Sequence, residues 1–319
     1  MPSEVRRVWM LTFEYAGVKK LGGLGEAVKN LSEGLSSLGY EVTVVMPSHD
    51  VELGTELEGV ICSGVRVGAD GQLHHYDIRF RILDVGRNLR VILVRGGDPR
   101  TSAVLEDPYI YGRVEEKACL LSRALPCLAE ALGLPDLIHS NDWHSALAAV
   151  SLKINAELKG FAVPHLHQIH LPGSPSFPWH YASPEWCGVP TELHRVWRVT
   201  RHQLESAYDL WRSAGGNLEV FSVIEADGIA SVSRSMIKDL LSRYGEWLKE
   251  KVCLIHNSTD WSVSEVVSNA LTMYGTGDRV ELRWILVREI LNRYKHVGRL
   301  EEGDALVLTT GRLTPQKGF

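Results

Sequence analysis

The chain has 319 residues, of which 45% are hydrophobic and 23% are charged, a balance typical of a folded α/β protein with one or two cores. No stretch resembles a transmembrane helix or a secretory signal, and a net charge of −5 without a long basic run argues against a nucleic-acid or membrane partner. Five cysteines, an odd number with no C-x-x-C pair, argue against a disulfide framework or a zinc ribbon and favour a reducing cytoplasm.

The amino-terminal segment predicts a strand, a glycine turn and a helix. Residues 8–11 form a short apolar run, and residues 24–38 carry apolar side chains at helical spacing before a second strand over 41–46. The turn contains Lys20, Gly22 and Gly23. Glycines at a helix start let the backbone approach an anion, which the free N–H groups of the first turn and the lysine both favour. By itself the turn is equally compatible with a structural role, because its spacing is not that of a dinucleotide fingerprint.

Strands and helices alternate along the next part of the chain. The pattern predicts a hairpin over 60–67 and 73–83, a strand over 89–94, a helix over 111–132 with a kink or break at Pro126, a strand over 136–139, a helix over 143–158 and a strand beginning at 161–163. Such alternation favours an α/β fold with a Rossmann-like, doubly wound and mainly parallel sheet.

The regular alternation is interrupted between about residues 171 and 217. Five prolines fall in this stretch and residues 191–211 carry a helical pattern, so we predict a helical, proline-rich insertion. Beyond it the sequence predicts a strand over 227–232, a helix from 235, a strand over 252–256 and a helix over 278–296. Residues 304–310 read as the first strand of another domain. We therefore predict one domain over 1–300 and the beginning of a second over 301–319.

Clusters of polar side chains follow two of the predicted strands. One spans residues 139–144 (HSNDWH) and the other residues 165–170 (HLHQIH). Ligands of open parallel sheets bind outside the carboxyl ends of the strands, so both clusters are candidate functional positions. Simpler interpretations stay open, with Asp142 as a helix N-cap and the histidines as satisfied core residues. A metal site on the histidines of the second cluster is disfavoured, because neither a cysteine nor a facing carboxylate completes a ligand set.

Tryptophans are concentrated in the middle third of the chain. They are Trp143, Trp179, Trp186, Trp197 and Trp211. Indole rings of this kind either pack in the core or form platforms on which the C–H faces of sugar rings stack. The sequence alone is compatible with both roles.

Four short motifs strengthen the case for a functional glycine turn. The sequence reads KLGGL over 20–24, NDWH over 141–144, HNSTD over 256–260 and GRLTPQKG over 311–318. In this order and at these intervals the motifs resemble those of bacterial, plant and archaeal glycogen and starch synthases, and residues 13–49 are most similar to the archaeal branch. The resemblance extends over the whole chain. It implies the amino-terminal half of a GT-B fold, in which two Rossmann-like domains face each other across a cleft.

The resemblance also assigns roles to individual residues. Those matching donor-diphosphate contacts are Lys20 (with Lys19 as the alternative), Gly22, Gly23, Arg312 and Lys317. Those matching contacts to the transferred sugar or the acceptor are Asp142, Trp143, His144 and Asn257. The catalytic set would be Lys20, Asp142 and His167, with His165 and His170 as alternative matches for the family's histidine. Two positions depart from the family motifs, since Asn141 replaces a histidine and Ser258 a glycine.

The function implied by the resemblance is that of a glycogen or starch synthase. Such an enzyme transfers glucose from ADP-glucose or UDP-glucose to the non-reducing 4-hydroxyl of an α-1,4-glucan, with retention. Its partners would be the nucleotide sugar and glycogen or maltooligosaccharides, with neither a cofactor nor a metal ion, and no oligomeric state is predicted. The chain stops before the family's Glu-x7-Glu segment, so we expect a truncated form with weak or no transfer alone. The competing hypothesis is a non-catalytic glucan-binding module or a regulatory remnant of a synthase.

Overall fold

The computed structural model describes residues 5–173, 175–178, 180–198, 201–259 and 261–293. The chain divides into two compact units, one ending at residue 259 and the other beginning at residue 260. None of the described helices is long and apolar enough to cross a membrane. The predicted strand over 304–310 lies outside the described residues, and the predicted domain boundary at residue 300 stays a prediction.

The described part of the first unit consists of strands and helices that alternate for most of its length. The strands are β1 (Arg7–Leu11), β2 (Glu41–Pro47), β3 (Thr55–Glu56), β4 (Cys62–Val67), β5 (Leu73–Gly86), β6 (Leu89–Gly96), β7 (Leu137–Asn141), β8 (His165–Ile169), β9 (Leu193–Arg198), β10 (Arg201–Ser206), β11 (Gly228–Ser231) and β12 (Val252–Leu254). The helices are α1 (Gly23–Ser37), α2 (Pro99–Leu105), α3 (Val114–Leu132), α4 (Trp143–Leu158), α5 (Ala207–Ser213), α6 (Leu218–Glu225) and α7 (Arg234–Tyr244). The second unit contains α8 (Val263–Tyr274) and α9 (Arg279–Arg293).

A mixed sheet forms the centre of the first unit. Its strand order is β12-β11-β8-β7-β1-β2-β6-β5-β3, and β4 also pairs with β5. The strands from β12 to β6 are parallel, whereas β3, β4 and β5 pair antiparallel at one side. Because parallel strands point the same way, their carboxyl ends meet at one edge of the sheet. The sequence clusters over 12–26, 139–144 and 165–170 therefore lie at or beside this carboxyl edge.

Helices cover both faces of the sheet. On one face Val8 and Met10 of β1 pack in a cluster with Val28 of α1. On the other face Trp9 and Leu11 join a cluster built by α3 and α4. Alternate side chains of a single strand are thus buried on opposite faces, which is typical of a parallel sheet with helices on both sides. The predicted doubly wound α/β fold is confirmed.

Most of the predicted elements are present, with small differences at their ends. Helix α4 has the predicted limits, and α3 continues through Pro126 without a break. The prediction that a strand begins at residues 161–163 is wrong, since β8 begins at His165. Pro164 precedes that strand and has no N–H group to donate to a neighbouring strand, although its carbonyl accepts from Ile138 at 3.0 Å.

The predicted helix over residues 191–211 is largely wrong. Strands β9 and β10 form an antiparallel hairpin there, and only the short helix α5 follows. In β9 the side chains of His194 and Val196 are buried, whereas those of Leu193 and Arg195 are exposed. This two-residue alternation is the period of a half-buried strand, so the insertion is mixed rather than helical.

A buried ion pair connects the β9–β10 hairpin to helix α6. His194 Nε2 lies 2.9 Å from Glu225 Oε2 at the end of α6, and both side chains are fully buried. Burial lowers the pKa of His194, but the hydrogen bond and charge of Glu225 outweigh it, so the pKa is raised above its ordinary value. The imidazolium therefore stabilises the attachment below that raised pKa, and the contribution is lost as the pH rises through it.

Two disulfides contradict the expectation from cysteine spacing. Cys62 in β4 is bonded to Cys127 in α3, and Cys119 in α3 to Cys187 in the insertion. The prediction that the chain has no disulfide framework is therefore wrong. The bonded residues lie 65 and 68 positions apart, and no local spacing motif reveals a connection of that length.

The bond between Cys119 and Cys187 should contribute strongly to stability. Replacing both residues by alanine is expected to lower the free energy of unfolding by roughly 4 kcal/mol, because a long closed loop removes much entropy from the unfolded chain. Urea unfolding without reductant measures this loss, and Cys253→Ser, at an exposed free thiol, should show none. Thiol titration of the unfolded, unreduced protein should detect one reactive group, Cys253. Detection of all five cysteines before reduction would refute the pairing.

Candidate active site

The loop between β1 and α1 is organised around the carboxylate of Glu14. This side chain is buried, and its Oε2 accepts the backbone N–H groups of Leu21 and Gly22, each at 2.7 Å. Its Oε1 accepts the hydroxyl of Tyr111 at 2.5 Å. The protein's own contacts therefore fix the glycine turn. They also engage the N–H of Gly22, which the resemblance assigned to the donor phosphates.

The start of α1 and the neighbouring lysine remain suited to an anion. Gly23 is the first residue of α1, and no side chain caps this helix. An uncapped helix start leaves N–H groups that attract negative charge. Lys20 forms an ion pair with Glu26, and their side chains are 46% and 48% exposed. Exposed ion pairs contribute little to stability, so an anion can replace Glu26 at Lys20 at small cost.

Asp142 has a strained backbone at the turn from β7 into α4. Its φ of 56° and ψ of 167° fall in a region that residues other than glycine rarely adopt, at a cost of about 1–3 kcal/mol. Its side chain does not cap α4, although the residue occupies the N-cap position. Instead Oδ1 accepts the backbone N–H groups of His170 at 2.7 Å and Leu171 at 3.2 Å. The interpretation of Asp142 as a helix cap is therefore wrong.

The surroundings of Asp142 favour its neutral form. Burial raises the pKa of Asp142 to about 7, and the nearby carboxylates of Glu219 and Glu14 act in the same direction. The two backbone N–H groups oppose this rise without cancelling it. At pH 7 a carboxyl with this pKa is present in both forms, so it can accept a hydrogen bond from a hydroxyl group or donate one to it, and hydroxyls are the groups that a sugar presents.

His170 lies directly beside Asp142, one residue beyond the end of β8. Asn141 Nδ2 donates to the carbonyl of Leu11 at 3.1 Å, so the Asn141 amide oxygen is left to accept from His170 Nε2 at 3.0 Å. The amide thus fixes the tautomer of His170, with Nε2 carrying the proton. Burial, with a smaller effect of His139, lowers the pKa of His170 to about 4, so the ring is neutral at pH 7. Asn141, which departs from the family motif, has a clear role here.

His165 and His167 lie inside the sheet. Both are almost fully buried, and their rings share the hydroxyl of Ser140, at 2.7 Å from His165 Nε2 and 2.8 Å from His167 Nδ1. Burial lowers the pKa of His167 to about 3. Residue His139 is also buried, with Nε2 at 2.9 Å from Gln168 Oε1. Among the described residues, no group of three His, Cys, Asp or Glu side chains is placed to hold a metal ion.

An aromatic stack connects the Asp142 turn to the glycine turn. The ring of His144 is stacked on Phe13 with centroids 4.5 Å apart and on Tyr111 with centroids 5.4 Å apart. Tyr111 in turn donates to Glu14, which holds Leu21 and Gly22. Two turns far apart in sequence are therefore joined in one network at the carboxyl edge.

The other candidate residues are placed less centrally. Asn257 is exposed on the loop after β12, and the carbonyl of the next residue, Ser258, accepts from Asn30 of α1 at 2.8 Å. Trp143 is half-buried and packs near Phe177 of the insertion. The candidate phosphate contacts Arg312 and Lys317 lie outside the described residues.

The tryptophans mainly serve the core. Trp211 is fully buried, and Trp143 and Trp186 pack against the same cluster, whereas Trp179 lies outside the described residues. A cavity of about 740 Å³ lies at the opposite, amino edge of the sheet, and its walls include Arg7, Pro135, Asn155, Phe161 and Pro164. None of the candidate site residues lines this cavity.

Comparison with known families decides the relationship that the site suggests. The family model for the starch synthase catalytic domain matches residues 7–252. The chain belongs to this family. The matched region includes the glycine turn, the Asp142 turn and strand β8 with His170 directly after it.

Similar curated proteins of the starch synthase family are glycogen synthases. One from Photobacterium profundum is 30% identical over 46% of this chain and 29% of its own length. Another from Thermotoga petrophila is 31% identical over 46% of this chain and 31% of its own length. The matched segments therefore span less than a third of these relatives.

A solved starch synthase structure shares the fold. It is the catalytic domain of starch synthase IV from Arabidopsis thaliana bound to ADP and acarbose, with a TM-score of 0.56 and 20% sequence identity. The match covers 81% of this chain and 52% of that chain. It confirms the predicted α/β arrangement as part of a GT-B glycosyltransferase fold.

Sequence reasoning did not single out Glu14, Tyr111 or Glu219 in this starch synthase domain. Glu14 could have been found, because it follows the predicted strand β1 at the functional edge. No sequence pattern indicates a role for Tyr111, since its hydrogen-bond partner Glu14 is 97 positions away in sequence.

Proposed function

We propose that this starch synthase domain is part of a glycosyltransferase that moves glucose from ADP-glucose or UDP-glucose to the non-reducing 4-hydroxyl of an α-1,4-glucan, with retention. The observation that carries the proposal is the joining of the glycine turn, Asp142 and His170 in one network at the carboxyl edge of the sheet. The related starch synthase IV was solved with ADP and acarbose, which supports a nucleotide sugar as donor and a glucan as partner.

The first task of such a site is to stabilise the departing diphosphate. Lys20 supplies a positive charge that its exposed partner Glu26 can release, and the uncapped start of α1 adds N–H groups. In the proposal Arg312 and Lys317 complete this set. Positive groups that are already in place favour the charge that develops as the bond to the leaving group breaks. No divalent metal ion and no cofactor belong to the proposal.

The second task is to hold the transferred sugar. The backbone holds Oδ1 of Asp142 in place, and Oδ2 is then available to accept a sugar hydroxyl. Trp143, His144 and Asn257 stay proposed contacts of the sugar or the acceptor. The strained backbone of Asp142 is of the kind that clusters at functional sites.

We assign the role of the site histidine to His170 in preference to His167. His170 is beside Asp142 at the strand end, whereas His167 is enclosed in the sheet and bonded to Ser140. A neutral His170 with its Nε2 proton directed at Asn141 presents Nδ1 as an acceptor. The acceptor oxygen bonds to the anomeric carbon on the face that the phosphate leaves, and its proton passes to a phosphate oxygen.

A cytoplasmic location is part of the proposal. Intracellular proteins rarely keep disulfides, but those of hyperthermophilic archaea do, and the two disulfides of this chain are compatible with the cytoplasm in that setting.

Lys20→Ala in the complete protein tests the proposal. Initial rates of glucose transfer to glycogen, measured with ADP-glucose and with UDP-glucose, should fall at least tenfold, which corresponds to about 1.4 kcal/mol of barrier. Lys29→Ala is the matched control, since Lys29 pairs with Glu33 further along α1 and should leave the rate unchanged. A loss smaller than tenfold would remove Lys20 from its assigned role.

Two measurements distinguish the proposed transferase from a non-catalytic glucan-binding module. Titration of this chain with maltoheptaose measures binding, and the complete protein measures turnover. Binding without turnover of either donor would favour the non-catalytic module, because a binding surface alone requires only the half of the site described here.

A further inference from the structure

Lys117 is a buried ammonium group without a carboxylate partner at hydrogen-bond distance. It lies in the first turn of α3, and its side chain is fully buried. Its Nζ contacts the backbone carbonyls of Asp107 at 3.0 Å, Tyr109 at 2.6 Å and Ile110 at 3.3 Å. A buried charge is costly unless hydrogen bonds satisfy it, and here the backbone of the preceding loop provides them.

A fourth contact connects Lys117 to His49. Nζ lies 3.1 Å from His49 Nδ1, and His49 Nε2 lies 3.0 Å from the carbonyl of Phe13. Because Nε2 must donate to that carbonyl, Nδ1 is the acceptor for the ammonium. His49 has a φ of 50°, so the surrounding contacts hold it in a backbone conformation that few side chains adopt.

Two routes therefore lead from Lys117 to Glu14. One runs through His49 to Phe13, the residue directly before Glu14. The other runs through the carbonyls of Tyr109 and Ile110 to the next residue, Tyr111, whose hydroxyl donates to Glu14. Glu14 in turn holds the backbone N–H groups of the glycine turn.

We propose that Lys117 is a positioning residue of the transferase site, which fixes Tyr111 and Glu14 and through them the glycine turn. It does not itself touch the substrate. The expected effect of Lys117 on catalysis rests on the proposed function. The expected effect of Lys117 on the glycine turn follows from the contacts alone. The other two buried lysines among the described residues, Lys153 and Lys251, direct their ammonium groups to carbonyls near the end of α6 instead.

Hydrogen exchange provides a test that does not depend on activity. In Lys117→Met the amide protons of Leu21 and Gly22 should exchange at least tenfold faster, because Glu14 loses its support, while those of β7 keep their protection. Lys153→Met is the matched control, as another buried lysine, and should leave Leu21 and Gly22 unchanged. Unchanged protection of Leu21 and Gly22 in a folded Lys117→Met protein would overturn the proposal.

A double-mutant cycle on the complete protein tests the catalytic consequence. We expect Lys117→Met to lower kcat about tenfold and Tyr111→Phe about fivefold, and the double variant to lose little more than the worse single one, because both changes act through Glu14. Lys117→Arg, which keeps the charge, should restore part of the loss and gives a folded comparison if the methionine variant does not fold. A loss of kcat near fiftyfold in the double variant, the product of the two single losses, would show that the residues act independently and would refute the proposal. If the unaltered protein transfers no glucose, the proposed function fails, and the exchange result still decides the role of Lys117.

Discussion

Asp142→Asn is expected to make this chain more stable at pH 8 and to remove most of the transfer proposed for the complete protein. The raised pKa of about 7 means that the folded protein ionises Asp142 at a cost that is absent below about pH 4 and complete above about pH 7. Asparagine keeps an acceptor oxygen for the two backbone N–H groups and tolerates a positive φ. We expect a gain of about 1–3 kcal/mol in the free energy of unfolding at pH 8, allowing for partial exposure. In the complete protein, the proposed glucose transfer should fall about a hundredfold, which is the value of a hydrogen bond to a charged group.

Asp136→Asn is the matched control for this prediction. Asp136 also accepts two backbone N–H groups, from Arg6 at 2.9 Å and Arg7 at 2.8 Å, but it lies at the amino edge. These hydrogen bonds outweigh its burial and lower its pKa, so this substitution should destabilise the protein at pH 8. Urea unfolding of both variants at pH 8 and pH 5 measures the contrast. Equal losses of stability in the two variants would contradict the account of Asp142.

The protein should unfold in mild acid, between about pH 6 and pH 5. Burial lowers the pKa of six histidines, which are His49, His139, His144, His165, His167 and His170. These rings stay neutral in the folded protein but take up protons in the unfolded chain below about pH 6.5. Their contribution is therefore present above pH 6.5 and lost as the pH falls. Each of these histidines lowers the free energy of unfolding by about 1.4 kcal/mol for each pH unit below about 6.5, and the total stability of a protein is only about 5–15 kcal/mol.

Urea unfolding at pH 7.5, 6.5 and 5.5 measures this dependence, and two variants check its origin. His144→Phe replaces one buried titratable ring by an apolar ring that can still stack between Phe13 and Tyr111. The slope of the free energy of unfolding against pH should therefore fall by about one proton. His256→Gln, which alters an exposed ring outside this set, is the control variant. A stability that does not change between pH 7.5 and 5.5 would show that the buried rings do not titrate in this way.

Local periodicity was sufficient to predict the parallel sheet and its helices. Helix α4 was predicted with its observed limits, because an apolar helical pattern begins directly after Asp142 and ends before Gly160. The hairpin of β9 and β10 was missed, because its two-residue alternation follows the proline-rich stretch and was interpreted as helical. Both disulfides were missed for another reason, since pairing across more than sixty residues depends on tertiary packing.

The candidate site could be predicted only in part. The rule that ligands bind at carboxyl strand ends led to Asp142 and to the histidine cluster. It did not separate His167 from His170, because this depends on where β8 ends and which side chains the pleat encloses. The dependence of the glycine turn on Glu14 was also hidden, since Tyr111 and Lys117 reach it from a distant part of the chain.

The buried carboxylate of Glu14 has a consequence for how fast a nucleotide could be captured. Hydrogen bonds to Glu14 already hold the backbone of Leu21 and Gly22, so a phosphate bound at this turn, as proposed, would not have to wait for a backbone rearrangement. Encounter would then be governed by diffusion and by the attraction of Lys20, so that raising the ionic strength slows capture more than it speeds escape.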